Sequence, residues 1–328
     1  MIEKILEDIY RIELPLPKNP LKSLNSYLIK GTDRNLLIDT GFNREECREA
    51  LLTALAELNV TMDDTDIFIT HLHSDHSGLA AAIRTENTRV YCSKEDGEIL
   101  KICGTDMYWT DLAKAFIRSG LRAGLKEAIE THPGYRFRLR NENKIDYIFL
   151  KEGDILPVGN YRFKCIATPG HTPGHMCLYD EDKKLFFSGD HILGDITPVI
   201  CIERGMDMPL TLYLQSLEKV EKLKIETVLV AHRNMLDDVY RRIKELKKHH
   251  ENRLNEVMEI LQKGPMDAYE TAKFMTWDIS CKTWEEFPPP QKWFATGEAF
   301  AHMQHLWHLG KLERRLEKDR YVFELRRL

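Results

Sequence analysis

The most informative stretch of the sequence is His71-Leu72-His73-Ser74-Asp75-His76, which brings three imidazoles and one carboxylate into a single short turn. Imidazole nitrogen and carboxylate oxygen are the ligands that zinc and the neighbouring transition metals prefer. The apolar run 67–70 before it predicts a buried strand, and the small-residue run 78–82 after it predicts a helix. We therefore predict a metal-binding loop between a strand end and a helix start; the alternative is a histidine-rich polar turn.

Three further candidate ligands each follow an apolar, strand-like run. They are His171 in Pro169-Gly170-His171-Thr172-Pro173-Gly174-His175, Asp190 in Ser188-Gly189-Asp190-His191, and His232 in Ala231-His232-Arg233. Open sheets collect their ligands at the carboxyl ends of their strands. Asp190 and His232, which come late in the sequence, are the carboxylate and the imidazole that a second metal and a bridge between two metals would need.

In this order, the motifs resemble those of the metallo-β-lactamase fold superfamily of metal-dependent hydrolases. The similarity spans most of residues 1–240, with Asp39-Thr40-Gly41 as the first motif. It implies an α/β (α+β) fold, a four-layer αβ/βα sandwich with two metals at one edge. One departure is Ala231, because the fifth motif usually has glycine before the histidine.

The resemblance divides the ligands between two metals: His71, His73 and His171 for the first, Asp75, His76 and His232 for the second, and Asp190 as the bridge. Asp39 would accept a hydrogen bond from a ligand histidine and fix its tautomer. Two divalent ions about 3.5–4 Å apart make hydroxide available at neutral pH. We expect Asp75 to orient this hydroxide and Asp190 to bridge the two ions, so both are candidate catalytic residues. Imidazole-rich ligation favours two Zn²⁺ ions, with iron or manganese as alternatives.

Composition predicts a cytoplasmic enzyme without membrane association. The 328 residues are 43% hydrophobic and 30% charged, and the net charge of −5 gives no general attraction to nucleic acid. The seven cysteines contain no Cys-x-x-Cys pair, which indicates free thiols in a reducing compartment. The charged start of the chain predicts no secretion signal, and no run approaches the ~20 apolar residues of a membrane span.

The pattern changes within the predicted catalytic domain (1–240). Residues 103–145 predict a helical insertion between the two halves of the sandwich, and the second half resumes at Tyr147-Ile148-Phe149-Leu150. We interpret the insertion as a lid over the metals, because long insertions in compact domains are usually functional; a packing embellishment is the alternative. The basic alternation Arg136-Phe137-Arg138-Leu139-Arg140 indicates either a grip on an anionic group or the solvated face of an edge strand.

Residues 241–328 predict a small C-terminal domain with 17 basic and 14 acidic side chains. Helices at 241–262, 267–276 and 292–309, followed by a hairpin within 311–325, give the order of a winged helix. Some metallo-β-lactamase-like hydrolases, including a group of endoribonucleases, carry a similar domain. We interpret His302, His305 and His308 as a polar helix face rather than a metal stripe, because no carboxylate accompanies them.

Two histidines near the motifs are not implied as ligands. His175 lies close to His171, and we expect a structural role for it. His191 either faces the substrate or packs in the interior; the sequence leaves both interpretations open.

Three functions are compatible with these residues. The first is hydrolysis of a thioester or ester by a metal-bridging hydroxide, as in the glyoxalase II-like branch. The second is a metal-dependent endoribonuclease that holds single-stranded RNA on its C-terminal domain, and the third is a non-catalytic scaffold. We favour a small-molecule thioester or ester over nucleic acid, because an excess of three positive charges in residues 241–328 is a thin basis for RNA binding. Hydrolysis of β-lactams is disfavoured, since Asp190 stands where many β-lactamases use cysteine; a homodimer is left open.

Overall fold

The computed structural model describes residues 1–136 and 145–326. Over this part of the chain, twelve strands form two mixed sheets and two more form a C-terminal hairpin. The first sheet has the order β1-β2-β3-β4-β5-β6-β7, and the second has the order β12-β11-β10-β9-β8. The strands are β1 (Ile2–Leu6), β2 (Ile9–Pro15), β3 (Ser23–Ile29), β4 (Asn35–Ile38), β5 (Thr65–Phe68), β6 (Val90–Ser93), β7 (Tyr147–Leu150), β8 (Ile155–Val158), β9 (Tyr161–Ala167), β10 (Met176–Asp180), β11 (Leu185–Gly189), β12 (Thr227–Val230), β13 (Leu312–Glu317) and β14 (Arg320–Leu325).

The helices follow the apolar periodicity of the sequence. Leucines at helical spacing give helix Glu45–Glu57 an apolar face that buries Leu51 and Leu55, and Pro209 begins a helix as its fixed φ favours. The described helices are α1 (Glu45–Glu57), α2 (Ser74–Ser77), α3 (Ala80–Ile83), α4 (Lys94–Leu100), α5 (Asp106–Arg118), α6 (Leu125–Thr131), α7 (Pro133–Arg136), α8 (Pro209–Val220), α9 (Val239–Ile260), α10 (Ala268–Ala272) and α11 (Pro289–His308).

The two sheets pack face to face, and helices cover their outer faces. Because side chains alternate across a strand, Phe187 points into the core between the sheets while its neighbour Phe186 points outward against the α8–α9 side. Tyr27 of the first sheet meets Phe187 edge-on, with ring centroids 5.2 Å apart. On the other side, Leu37 faces outward into a cluster with Leu51 of α1. The four-layer αβ/βα sandwich implied by the resemblance is confirmed.

The position of the helical insertion differs from the prediction. The run Tyr147–Leu150 forms β7, but β7 belongs to the first sheet and pairs in parallel with β6. The expectation that the second half resumes here is therefore wrong, and the second sheet begins at Ile155. Residues 103–145 instead belong to the crossover from β6 to β7, which two parallel neighbours require. A four-residue apolar run carries no information about its partner strand.

The described part of the insertion is helical, as predicted, and packs against the C-terminal segment. Phe116 of α5 stacks on Trp293 of α11 with ring centroids 3.5 Å apart. Arg136 is the last residue of α7, whereas the rest of the predicted basic alternation, Phe137–Arg140, lies outside the described residues. The two segments share one apolar cluster with the outer face of the first sheet.

The C-terminal elements follow the predicted order of three helices and a hairpin. The capping box of Asp267 and Glu270 begins α10, and α11 begins at Pro289, three residues before the predicted start. The predicted domain boundary at residue 240 falls in the first turn of α9. The comparison with a winged helix stays a prediction.

Over the described residues, no helix combines the length and the apolar character that crossing a bilayer demands.

Candidate metal centre

The candidate ligands stand after the carboxyl ends of strands from both sheets. In the first sheet, β5 leads through Thr70 to His71, and His73 precedes α2, which carries Asp75 and His76. In the second sheet, His171, Asp190 and His232 follow β9, β11 and β12. Since the two sheets are stacked, these loops meet at one edge of the sandwich.

The first group consists of His71, His73 and His171. His73 Nδ1 lies 3.1 Å from His71 Nε2 and 3.0 Å from His171 Nε2. In a tetrahedral zinc site with Zn–N bonds of 2.0–2.1 Å, two ligand nitrogens are about 3.3 Å apart. Both distances are close to this spacing, and one ligand atom from each of the three residues lies within 4.8 Å of the other two.

The second group consists of Asp75, His76 and His232. His76 Nε2 lies 3.2 Å from His232 Nε2, and Asp75 Oδ2 lies 3.5 Å from His232 Nε2 and 3.9 Å from His76 Nε2. Imidazole and carboxylate together suit zinc, iron or manganese.

Asp190 lies between the two groups. Its Oδ1 is 3.5 Å from Nε2 of both His76 and His232, and its Oδ2 is 3.6 Å from His171 Nε2. Oδ1 is buried and finds no hydrogen-bond partner among the described residues. A buried carboxylate oxygen without a partner is costly unless a cation satisfies it. The arrangement fits one carboxylate shared by two cations.

Hydrogen bonds on the outer side of the rings fix the tautomers. The Nδ1–H groups of His171 and His232 donate to the carbonyl oxygens of Val199 (2.7 Å) and Ser23 (2.8 Å). A carbonyl oxygen can only accept, so each ring presents a lone pair at Nε2 toward the centre.

Asp39 positions one histidine of each ligand group: it contacts His76 directly and His71 through the hydroxyl of Thr70. Its carboxylate accepts from the Thr70 amide (2.9 Å), the Thr70 hydroxyl (2.8 Å) and His76 Nδ1 (2.7 Å). Because the Thr70 hydroxyl donates to Asp39, it accepts from Nδ1 of His71, 3.0 Å away. His71 and His76 thus also turn Nε2 lone pairs inward. The structure brings Asp39 to the position that the resemblance implies.

The electrostatics of the centre favour a cation. Burial, reinforced by the neighbouring imidazoles, lowers the pKa of His71 and of His171 well below the usual value, so both are held in the neutral form that binds metal. Burial also acts to lower the pKa of His76, but Asp39, Asp190 and Asp75 raise this pKa to about 10. Asp39, Asp75 and Asp190 therefore strongly favour a positive charge at the position of the His76 ring. Together with the converging lone pairs, this fits a divalent metal centre.

Glu203 is a candidate functional residue that sequence reasoning missed. Its Oε1 lies 3.6 Å from His73 Nε2, and its Oε2 accepts from the Tyr108 hydroxyl (3.3 Å) of helix α5. A carboxylate on the outer nitrogen leaves the lone pair of His73 Nδ1 facing the centre. Glu203 follows no strand and belongs to no motif, so the sequence carries no signal for it.

We expect Glu203→Gln to weaken metal binding about 10–100-fold, because a neutral amide supports the histidine tautomer less well than a carboxylate does. The measurement is zinc affinity by competition with a coloured chelator. Asp207→Asn, an exposed acid four residues further along the chain, is the matched control and should bind zinc like the parent. Equal affinities for all three proteins would contradict the role of Glu203.

Asp96 of α4 was also missed, and it joins two of the motif loops. Its Oδ2 accepts from the Leu72 amide (2.8 Å) and the Thr172 hydroxyl (2.6 Å), and its Oδ1 accepts from the Gly174 amide (2.6 Å). Burial raises the pKa of Asp96 to about 6 despite these donors. The side chain thereby ties the loop of His71 to the loop of His171.

We expect Asp96→Asn to lower the free energy of unfolding by about 2–4 kcal/mol, because the new NH₂ group faces donors and leaves buried N–H and O–H groups unsatisfied. Urea unfolding measures the change. The neighbouring exposed variant Glu95→Gln is the control and should stay within about 0.5 kcal/mol of the parent. A loss of the same small size for Asp96→Asn would refute this account.

Two further histidines near the motifs belong to neither candidate ligand group. His175 accepts from the Asp190 amide at Nε2 (3.0 Å) and bonds the Thr168 hydroxyl at Nδ1 (2.8 Å), a structural role as expected. His191 is fully buried and packs edge-on against Tyr213, which favours the packing interpretation.

The interpretation of the α11 histidines as a polar face is wrong for two of the three. His302 is buried beside His250 of α9, with 3.1 Å between Nε2 and Nδ1, and His305 is buried beside the Thr211 hydroxyl at 2.8 Å. Only His308 of the three is exposed. The face is internal because α8 and α9 cover it.

A cavity of about 200 Å³ opens beside His73, His171 and Asp190. Its other walls come from α5, from the turn 132–134, from the loop 193–203 and from the start of α11. The insertion and the C-terminal segment therefore both contribute to the space next to the candidate ligands. None of the described residues that line this cavity is lysine or arginine.

Comparisons with known proteins agree with this geometry. The family model "Metallo-beta-lactamase superfamily" matches residues 20–232, and "Metallo-beta-lactamase-like, C-terminal domain" matches residues 254–325. The chain is 27% identical over 267 residues to Beta-lactamase-like protein 2 homolog of Caenorhabditis elegans, covering 80% of this chain and 73% of that protein. It is also 27% identical over 219 residues to the human protein named Acyl-coenzyme A thioesterase MBLAC2, covering 64% of this chain and 73% of the relative.

A solved structure extends the likeness over the whole chain. A metallo-beta-lactamase family protein from Thermus thermophilus superposes with a TM-score of 0.83 and 27% identity, covering 98% of this chain and 100% of that one. The first family model spans well over half of the chain and includes every candidate ligand from His71 to His232. The chain therefore belongs to the metallo-beta-lactamase superfamily and is a hydrolase of that group.

Proposed function

We propose that this protein is a dinuclear metal-dependent hydrolase that cleaves a thioester or ester of a small molecule. The observation that carries the proposal is the largely apolar cavity, without basic side chains among its described lining, that opens directly onto the two ligand groups. Such a cavity suits an acyl group and offers nothing for a phosphate backbone. The relative named as an acyl-coenzyme A thioesterase supports the thioester as the class of substrate.

The cations would activate the water and the substrate, and side chains of the protein would hold the cations. Bound divalent cations would lower the pKa of water and polarise the substrate carbonyl. His71, His73 and His171 would hold one cation, Asp75, His76 and His232 the other, and Asp190 would hold both. Zinc suits these donors best, with iron or manganese as alternatives.

Two carboxylates would act on the reacting groups. Asp190 fixes the distance between the two ligand groups, because its two oxygens face different histidines. Asp75, whose Oδ2 lies 3.5 Å from His232 Nε2, would orient the attacking water through a hydrogen bond. A thiolate leaves without a strong acid nearby because the pKa of a thiol is only about 8.5, and this favours thioesters over alkyl esters.

The endoribonuclease alternative has less support. An RNA strand needs a basic groove, and the described lining of the cavity contains no lysine or arginine. The third alternative, a scaffold without activity, is disfavoured because the ligand set is intact and its lone pairs converge.

A substrate panel tests the proposal. Metal-replete protein is assayed against acyl thioesters, lactones, phosphodiesters and short single-stranded RNAs, with Asp190→Ala as the control. We expect thioester cleavage that the control lacks. RNA cleavage that disappears in the control, without thioester cleavage, would overturn the assignment.

A further inference from the structure

We propose that the cavity beside the metal centre is a binding site for a bulky apolar acyl group, walled by insertion helix α5 and C-terminal helix α11. This inference rests on the proposed function and narrows its substrate class. The substrates would be thioesters whose acyl group is larger and more apolar than acetyl, with the charged carrier group outside the cavity.

Aromatic side chains line the walls of the cavity, and packing against neighbouring side chains holds them in place. Trp109 and Leu112 of α5 line the cavity together with Trp293 and Phe294 of α11. Trp293 is only 2% exposed and is held by its stack on Phe116. Rings that are fixed in this way provide a preformed apolar surface, so a ligand does not have to order the side chains that it contacts.

The turn between α6 and α7 adds an uncharged edge. The ring of His132 lies 5.5 Å from Trp293 and 5.2 Å from Phe294, measured between centroids. Its Nδ1 accepts from the Gly134 amide (3.0 Å), so this nitrogen carries no proton and the ring is neutral. The described lining residues include no lysine or arginine that could pair with the phosphates of a carrier.

The candidate metal ligands in the cavity lining would set the orientation of the bound substrate. His73, His171 and Asp190 line one part of the same space, so a thioester carbonyl at the candidate centre directs its acyl group along the aromatic wall. The cavity thus combines candidate metal ligands with apolar side chains from both segments outside the central sandwich.

A series of straight-chain thioesters, from acetyl to decanoyl on one small thiol carrier, tests the inference on metal-loaded protein. Each buried methylene should lower KM about fourfold until the cavity is filled. We expect octanoyl to exceed acetyl at least about 100-fold in kcat/KM. Hydrolysis with the same kcat/KM along the series would overturn the acyl site and leave the proposed function intact.

Two variants that change the cavity in opposite directions provide a second test. Leu112→Trp fills space and should move the preferred chain to shorter acyl groups, whereas Phe294→Ala enlarges it and should move the preference to longer ones. Met107→Trp introduces the same side chain at an exposed position of α5 (55% exposed) and should keep the parent's preference. Unchanged preferences in both cavity variants, with native circular dichroism, would refute the site.

Direct binding separates this inference from the hydrolytic function. Decanoate added to metal-loaded protein should change the tryptophan fluorescence, because Trp109 and Trp293 line the cavity, and Leu112→Trp should weaken that binding at least tenfold. Binding without turnover of any thioester would support the acyl site and reject the proposed function. No binding of decanoate, together with chain-independent turnover, would reject the acyl site alone.

Discussion

Replacement of Asp190 with alanine is expected to lower kcat about a thousandfold or more while the fold is retained. Asp190 is the only described carboxylate whose two oxygens face both ligand groups, with Oδ1 toward His232 and Oδ2 toward His171. Its removal leaves the second group short of a ligand and unlinks the two groups. The measurement is steady-state turnover of the best thioester with metal in excess.

Asp195→Ala is the matched control for this variant. Asp195 is an exposed acid on the same loop, and its Oδ2 only accepts a long hydrogen bond (3.4 Å) from Asn234. We expect parental turnover for the control. If Asp190→Ala kept more than about a tenth of the parental kcat, the bridging role would be wrong.

Removal of metal is expected to have the second large effect, on both activity and stability. Without a cation, five imidazoles and two carboxylates converge in a buried space and lack the partner that their polar atoms face, which is unfavourable. A cation present at a thousandfold excess over its Kd adds about 4 kcal/mol to the free energy of unfolding. For a chain of this size, we expect chelation to lower Tm by roughly 5–10 °C and to abolish turnover.

Zinc should restore both properties, whereas magnesium should not, because magnesium prefers oxygen ligands. His232→Ala is the matched variant, since it removes one ligand of the second group and should show a smaller shift in Tm on chelation. A chelated protein that is shown to be free of metal, yet unfolds at the parental temperature and keeps its activity, would contradict the account.

The centre could be predicted from the sequence because its ligands are rare residue types at strand ends. His71, His73 and His76 stand in one turn, and His171, Asp190 and His232 each follow a run that reads as a strand. Local patterns of this kind survive folding, because a strand end fixes where the next side chain goes. The stacking of the two sheets then brings the turns together.

Features that depend on partners distant in sequence could not be predicted. The run Tyr147–Leu150 has no property that distinguishes an edge strand of the first sheet from the first strand of the second. Glu203 and Asp96 are ordinary acids in the sequence, and only the folded chain brings them to His73 and Leu72. The spacing of His302 and His305 identifies a shared helix face, but not that α8 and α9 bury it.

Elemental analysis shows directly whether the chain binds two divalent cations. The protein is reconstituted with zinc, separated from free metal by gel filtration, and measured beside Asp190→Ala and His232→Ala. We expect about two divalent ions per chain in the parent and fewer in each variant. Parent protein that retains no stoichiometric metal under any loading condition would contradict this expectation.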